Sequence, residues 1–552
     1  MKKRSNRLWD CCTRQLGLET KLEKRWLIAA FILLFLYLWL CQYLRNFLSF
    51  DVSAGIVSSI LFPALQVLPL GLLGVMLFGK LQITKVPDRD RASRFRRFFP
   101  AIVFVLTFAY LLLWLIAYFP GSYPVDCIYQ LSQAYYGYFD NWHPYLHTWL
   151  FFWIPWQIFH HPAGIVLYQI VLFSLAVWYL YRILCRRGCP TWFLVASWLF
   201  LMLNPNTARI MITPMKDSAL TIVSLAVFTQ IIEIYETQGA WLNKWYHFIC
   251  FTLLCVMAAM FRHNGILLIA PVYLILVIFQ KKERKTVLLS GALVLLIVWF
   301  LNGPMMLWDR VCPAANRQIE ILGLPLTILS SVYSKDRAAL SPEAVRFLDS
   351  LATPEEWETI YQFGSFNSIK FSSSLPLAER VETEGAKAIL QYTAQAVSRS
   401  PIWAAKAFIT LTRQVWDPLA NVGGVGSPFC ASIVVDGVGV TMEWHPWLAQ
   451  ALTCWGDTTD SLFLYLFTEN VGMIILIAMF AAVTNVGRGK LGRAFMIFPM
   501  LIYDFGTMLL LTGPDFRFFH FNFVIIIPLL YLIFSEDHTG QKCKEESHAE
   551  TK

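Results

Sequence analysis

Apolar runs of about 16–25 residues, separated by short polar or basic loops, dominate this chain. They lie near 26–45, 55–79, 98–119, 164–184, 191–206, 217–236, 246–261, 265–280, 286–305, 461–484, 493–512 and 517–534. As helices, runs of this length match the hydrocarbon thickness of a bilayer, so each is predicted to span. A further run at 147–160 has about 14 residues, short for a crossing. One long hydrophilic segment, about 306–460, interrupts the series. Inside it, Ser341 before Pro342 and Thr353 before Pro354 carry helix-start chemistry: a capping hydroxyl followed by proline at the first helical position. Residues 377–400 read as one longer helix opened by Pro376. The glycine-rich stretch 421–427 reads as a loop and not a phosphate cradle, because no strand precedes it and no Gly-Lys-Ser/Thr follows.

Composition fixes the class. Of 552 residues, 57% are hydrophobic and 15% charged, and the mean hydropathy is +0.53. Such a balance excludes a soluble globular protein and predicts an all-α polytopic membrane protein with about twelve transmembrane helices. Aromatic residues reach 16%; interfacial belts and packing account for them, with lipid or sugar contacts as the alternative. No cleavable signal peptide is visible, because the first apolar run is long enough to remain as a span. Twelve cysteines show no metal-ligand spacing. Cys11 and Cys12 beside the first run are candidate acylation sites, and Cys430 and Cys454 a candidate disulfide that spacing does not establish.

The net charge of +9 sits mostly in short loops, where it reports topology before any anionic partner; no nucleic-acid partner is expected. Lys2, Lys3, Arg4, Arg7, Lys21, Lys24 and Arg25 predict a cytoplasmic N-terminus. Lys80, Lys85, Arg89, Arg91, Arg94, Arg96 and Arg97 place the second loop on the same side. Residues 120–146 then emerge on the outer face. Arg182, Arg186 and Arg187 should be cytoplasmic again, which requires that 147–160 not cross but lie as an outer-face juxtamembrane or re-entrant helix. Lys281, Lys282, Arg284 and Lys285, then Arg488, Lys490 and Arg493, then fall inside, as does the tail. The expected organisation is 1–97 with two accessory helices, 98–305 as the membrane core with a first outer loop at 120–160, and 306–460 as a mainly helical extracytoplasmic domain. The last three spans follow at 461–534, with a short cytoplasmic tail at 535–552.

This arrangement, derived from Lys and Arg alone, collects the polar oddities on one side. Asp126, His143, Lys216, Asp217, Arg262, His263, Asn264, Asp515 and Arg517 all emerge at outer ends of spans. Ionisable groups at apolar helix ends are functional candidates. Asp126, Gln130 and Gln133 stand at i, i+4 and i+7, one helical face. Asp126 is a candidate general base for an acceptor hydroxyl, or an oxygen ligand for a divalent cation; the alternative is an ordinary carboxylate in a solvated loop. Asp217, following Lys216, is a second candidate ligand, with helix-dipole stabilisation as the alternative. His143 before Pro144 opens the short helix. Arg262, His263 and Asn264 break two apolar runs, or merely cap a hairpin. Arg517 at an outer helix start faces an unfavourable dipole, so a compensating anion is expected, either Asp515 or a phosphate.

At these residues the chain resembles the GT-C superfamily of integral-membrane glycosyltransferases, of the protein mannosyltransferase and aminoarabinose transferase type. It is nearest to an uncharacterised Gram-positive group. Those families carry an acid in the first outer loop followed by a His-Pro-Pro-Leu helix; Asp126 and His143-Pro144-Tyr145-Leu146 fit, with Tyr145 replacing the second proline. Arg186 and Arg187 match a basic cytoplasmic turn, Lys216-Asp217 a second outer acid entering a span, and Arg517-Phe518 with Pro528 a late Arg–aromatic pair. The likeness covers about 98–310 and 490–535 and consists of short motifs. It departs in the lone Asp126, where the family often has paired acids, and in the two preceding spans.

The resemblance implies a polyprenyl-phosphate-linked sugar donor drawn from membrane lipids and an extracytoplasmic acceptor hydroxyl on a glycan or glycolipid. It implies transfer with inversion. Asp126 would be the base. Gln130, Gln133, His143, Lys216, Asp217, Arg262, His263 and Arg517 would contact substrate, and Mg or Mn at Asp126 and Asp217 is a candidate cofactor. The competing class is a multi-pass lipid or polysaccharide transporter, which would place its ionisable groups near the bilayer midplane in repeated halves. Here they gather at one surface, and no repeat is apparent.

Overall fold

The computed structural model describes residues 21–49, parts of 61–74, 83–86, 93–313, 318–420, 428, 442–461, 464–486 and 488–535. The expected span at 55–79 lies mostly outside the described residues; Cys11, Cys12 and Cys430 lie wholly outside them. Helices dominate. Among the described residues six are long and apolar enough to cross a membrane: Phe31–Leu48, Arg94–Ala117, Pro162–Arg186, Lys216–Glu236, Arg284–Trp308 and Phe516–Phe534. Thr191–Leu203, Trp245–Met260, Ile266–Phe279 and Val471–Val486 are apolar but shorter.

The shorter lengths have local causes. The run at 191–206 ends as a helix at Leu203, because Asn204 adopts an extended conformation and caps the next helix, Pro205–Met211. Proline at that position cannot donate back into the preceding turn. The run expected at 461–484 is continuous helix only from Val471 to Val486. Ser461 instead closes the helix Pro446–Ser461.

Lys216–Glu236 is the axis of the membrane core. It is buried nearly all round and packs against Phe521–Phe534, Pro162–Arg186 and Trp245–Met260, as a helix at the centre of a bundle must. Arg94–Ala117 lies along Pro162–Arg186, and Val471–Val486 along Phe521–Phe534. Leu34 and Leu38 of the first helix pack on Leu476 and Phe480.

The axial helix is polar at both ends. Lys216 and Asp217 begin it. At its other end Glu233 receives Arg186 and Arg187 at 2.7 and 2.5 Å, and Glu236 receives Lys85 at 2.7 Å and Arg493 at 3.5 Å. Val86 N–H donates to Gly188 O at 2.9 Å, and Lys282 Nζ to Gln238 Oε1 at 3.0 Å. The basic loops assigned to one face from charge alone therefore meet at one end of the bundle. Twenty residues of α-helix separate Lys216 from Glu236, about 30 Å, the thickness of a hydrocarbon core.

The short apolar run forms one broken helical segment: Tyr145–Thr148, a π-helical turn Trp149–Trp153, and Ile154–Phe159. Both its ends stay with the Lys216 end of the bundle. Before it, His143 Nδ1 lies 3.4 Å from Lys216 Nζ. After it, Pro162 O accepts from Tyr123 Oη at 2.7 Å. The adjoining turn is tight: Ser122 N–H donates to Ile212 O at 2.9 Å, and a Cβ on Gly121, whose φ is +120°, would stand 2.6 Å from Val166 Cγ2.

The hydrophilic insertion is narrower than 306–460. A separate hydrophobic core runs from Ile319 to Ala407, built on Leu326, Leu329, Phe347, Leu348, Phe366 and Ile369. Leu411, Val415, Trp416 and Ala449 belong to the membrane core. Helix Pro446–Ser461 packs on Arg94–Ala117, and Glu443–Trp444 pairs antiparallel with Tyr118–Phe119. Ser341 and Thr353 cap helices as expected, Thr353 in a full capping box with Glu356. The single helix expected over 377–400 is two, Leu377–Glu384 and Ala386–Arg399, parted at Gly385 with φ +82°.

Candidate functional site

Asp126 sits in the first turn of the helix Val125–Tyr136, which Pro124 starts and left-handed Gly137 ends. Its side chain is 45% exposed. It faces a cavity of about 960 Å³ whose lining includes Trp142, Lys216, Asp217, Arg262, His263, Asn264, Asp515, Arg517 and Phe518. Segments up to about 390 positions apart in sequence thus converge on one space. The opposite wall comes from the insertion, through Glu320, Ile321, Asn367, Lys370, Phe371 and Glu379 among others.

His143 links Asp126 to Lys216. It is buried, 4.0 Å from Asp126 Oδ1 through Nε2 and 3.4 Å from Lys216 Nζ through Nδ1. Burial, reinforced by Lys216, His263 and Arg517, holds its pKa well below the usual histidine value, so the ring is neutral. An ammonium only donates, so Nδ1 accepts and Nε2 carries the proton, on the Asp126 side but beyond hydrogen-bond reach of the carboxylate.

The cations divide into neutralised and unneutralised. Arg262 pairs with Asp217, both buried, and lies 4.1 Å over the Phe518 ring. Its Nε donates to Asn264 Oδ1 at 3.3 Å, and Asn264 donates on to Thr507 at 2.7 Å. Arg517 forks onto Asp515: Nε lies 2.9 Å from Oδ1 and Nη2 2.5 Å from Oδ2. Its Nη1 reaches Met215 Sδ at 2.9 Å. Burial disfavours the Asp515 charge, but the guanidinium outweighs it and holds the carboxyl below its usual range. Asp515 is therefore the compensating anion that the helix dipole called for. Lys216, against neutral His143, has no carboxylate within 4 Å among the described residues.

Three expected site residues do not line this space: His143, buried behind Asp126 and Lys216, and the two amides. Gln130 and Gln133 share the Asp126 face but are buried. Gln130 Nε2 lies 2.8 Å from Thr148 Oγ1 and 2.9 Å from His147 Nδ1, and Gln133 Oε1 accepts from Asp140 N–H at 3.4 Å. Gln130 fastens the Asp126 helix to the short helix, and Gln133 to the loop at Asp140. Amides at i+4 and i+7 read as ligands in the sequence, but here that face meets packed protein beyond its first turn. His263 does line the cavity; it is exposed, with Nε2 3.5 Å from Trp142 O.

The donor set suits an anion better than a metal. Asp217 is committed to Arg262, so a divalent cation would find Asp126 without its expected partner, amid Lys216, Arg262 and Arg517.

The insertion wall was missed in the sequence. No spacing marks it, because it folds back onto the loop before the last helix. Asn367 N–H donates to Thr512 O at 3.0 Å, and Thr512 Oγ1 to Asn367 Oδ1 at 2.5 Å. A Cβ on Gly513 would stand 2.6 Å from Asn367 Nδ2, so glycine permits that closure. A second missed pair, Asp504 and Asn522, is buried, with Asn522 Nδ2 donating to Asp504 Oδ2 at 2.8 Å. Its signal was a lone carboxylate inside the apolar run 493–512. Comparison of the chain with protein-family models, with curated proteins and with solved structures finds no match.

Proposed function

We propose that this chain is a membrane glycosyltransferase of the GT-C type, moving a sugar from a polyprenyl-phosphate donor to an extracytoplasmic acceptor hydroxyl with inversion. The reading takes twelve spans, both termini in the cytoplasm, and the Asp126 cavity on the outer face. One observation carries it: a half-exposed carboxylate and the cations Lys216, Arg262 and Arg517 line one large cavity together. Base and anion holder are the two functions that transfer from a lipid phosphate requires. The gathering of Asp126, Lys216, Arg262 and Arg517 around one cavity at one end of the bundle favours an enzyme over a transporter, whose substrate-binding ionisable groups would lie at mid-depth.

In this mechanism Asp126 accepts the proton of the acceptor hydroxyl as the oxygen attacks the anomeric carbon. The new C–O bond forms on the face opposite the phosphate. The bond from the anomeric carbon to the phosphate oxygen breaks, and its electron pair leaves with the lipid phosphate, which gains one negative charge. Lys216 is the cation best placed to meet that charge, because Arg262 and Arg517 are already neutralised by Asp217 and Asp515. An ammonium held in a protein-walled site stabilises developing charge more strongly than one in water. His143 positions Lys216, as acceptor for its ammonium. The proton on Asp126 then leaves to water.

The test is mass spectrometry of lipid-linked sugars and surface glycans in cells with and without the protein, and with Asp126→Asn. Loss of the protein should accumulate one polyprenyl-linked sugar, and Asp126→Asn should reproduce that accumulation at normal expression. Unchanged lipid-linked sugars after deletion would remove the transferase reading. Retained turnover in Asp126→Asn would remove Asp126 as the base.

A further inference from the structure

The cavity has two chemically different walls, and the mechanism uses only one. At about 960 Å³ it lies at the upper end of small-molecule sites, roughly 300–1,000 Å³. The membrane-core wall is cationic. The insertion wall offers carboxylates, an amide and an aromatic ring. Phe371 is 73% exposed although it belongs to a segment with its own packed core, so neither that core nor the membrane bundle covers it. Lys370 lies 4.7 Å from the ring centroid and pairs with Glu320 at 2.5 Å.

The loop that presents Phe371 is held in place. Glu356, the capping-box acid, accepts Ser374 N–H through Oε1 and Thr353 N–H through Oε2, both at 2.7 Å. Ser373 Oγ donates to Leu351 O at 2.8 Å. Asn367, one turn before the ring, is tied to Thr512 on the rim that leads to Arg517. A fixed, exposed ring flanked by hydrogen-bonding side chains over a polar cavity fits a ligand with one apolar face and a hydroxyl edge. A pyranose has both. A bare lipid would set the exposed Glu379 carboxylate and the Lys370–Glu320 pair against hydrocarbon, a costly arrangement.

We propose that the wall formed by Glu320, Asn367, Phe371 and Glu379 is a saccharide subsite, stacking a pyranose on Phe371, so that the acceptor hydroxyl belongs to a glycan. The assignment of that sugar as acceptor rests on the transferase reading; the subsite itself does not.

The test uses the full purified chain in detergent and saturation-transfer NMR. The probes are disaccharides of glucose, galactose, mannose and N-acetylglucosamine, with farnesyl phosphate as a separate probe of the cationic wall. At least one disaccharide should receive saturation at its ring protons, bind about tenfold more weakly to Phe371→Ala, and bind unchanged to Lys216→Met. Farnesyl phosphate should show the reverse dependence. Should Phe371→Ala unfold, Glu379→Gln, which alters only an exposed side chain, decides the matter by the same weakening. The subsite is overturned if no disaccharide binds, or if binding is indifferent to both substitutions on the insertion wall. If disaccharides bind as expected and farnesyl phosphate does not, the subsite stands and the lipid-phosphate donor falls.

Discussion

Removing the guanidinium of Arg262 would strand Asp217, whose side chain is 4% exposed, as an unpaired buried charge. Breaking such a pair from one side costs about 3–5 kcal/mol, whereas replacing both partners by apolar groups is often neutral. Arg262→Leu should therefore destabilise the chain by about that much, and Asp217→Leu added to it should restore most of the loss. Thermal unfolding in detergent reads both; equal melting temperatures for single and double variants would show the pair to be uncoupled. His143 supports a prediction with a definite sign. Its folded-state pKa lies well below the ordinary value of about 6.5. Below that pH the unfolded chain binds a proton that the folded site refuses, so stability is present above about 6.5 and falls as acid is added. His143→Gln should flatten this component, so that its melting temperature falls less than that of the unaltered chain between about pH 7 and pH 5. Identical slopes would mean that His143 titrates normally in the folded chain.

Elements were legible where one local signal decided them, and illegible where two competed. Apolar runs marked the membrane-core helices, and Ser341 and Thr353 marked their helix starts, because a capping hydroxyl acts within one turn. The same reasoning joined 377–400 into one helix, although Gly385 reaches a conformation closed to other residues and splits it. It also extended 191–206 past Asn204, whose side chain is more valuable as a cap than as a helical residue. In the site, Asp126, Lys216, Asp217, Arg262 and Arg517 were legible as charges in apolar surroundings. Which of them neutralise one another was not, since the Arg262–Asp217 contact joins different spans. Gln130 and Gln133 were misread because helical periodicity says which residues share a face, and not whether that face meets substrate or the neighbouring helix. The insertion wall gave no sign at all, because its residues are ordinary for an exposed domain until the loop at Thr512 and Gly513 closes against them.

At the scale of the whole molecule the helix at 145–159 decides the topology, since a single extra crossing would reverse every later loop. Its start is tied to Lys216 through His143 and its end to Tyr123 through Pro162, so both ends stay with the cavity. The following helix, Pro162–Arg186, runs the full distance to Glu233 at the basic end. On the proposed topology His160, exposed in the turn between them, faces the outside, and Lys282, exposed beside Gln238, faces the cytoplasm. Cysteines placed singly at these positions in a cysteine-free chain should separate cleanly in intact cells under a membrane-impermeant maleimide. His160→Cys should label at once, and Lys282→Cys only after permeabilisation. If the short helix crossed, His160 and the cavity would lie on opposite faces, and labelling at His160 would need permeabilisation. That result would contradict the His143–Lys216 and Tyr123–Pro162 contacts together, and with them a one-sided cavity in which Asp126 meets its cations.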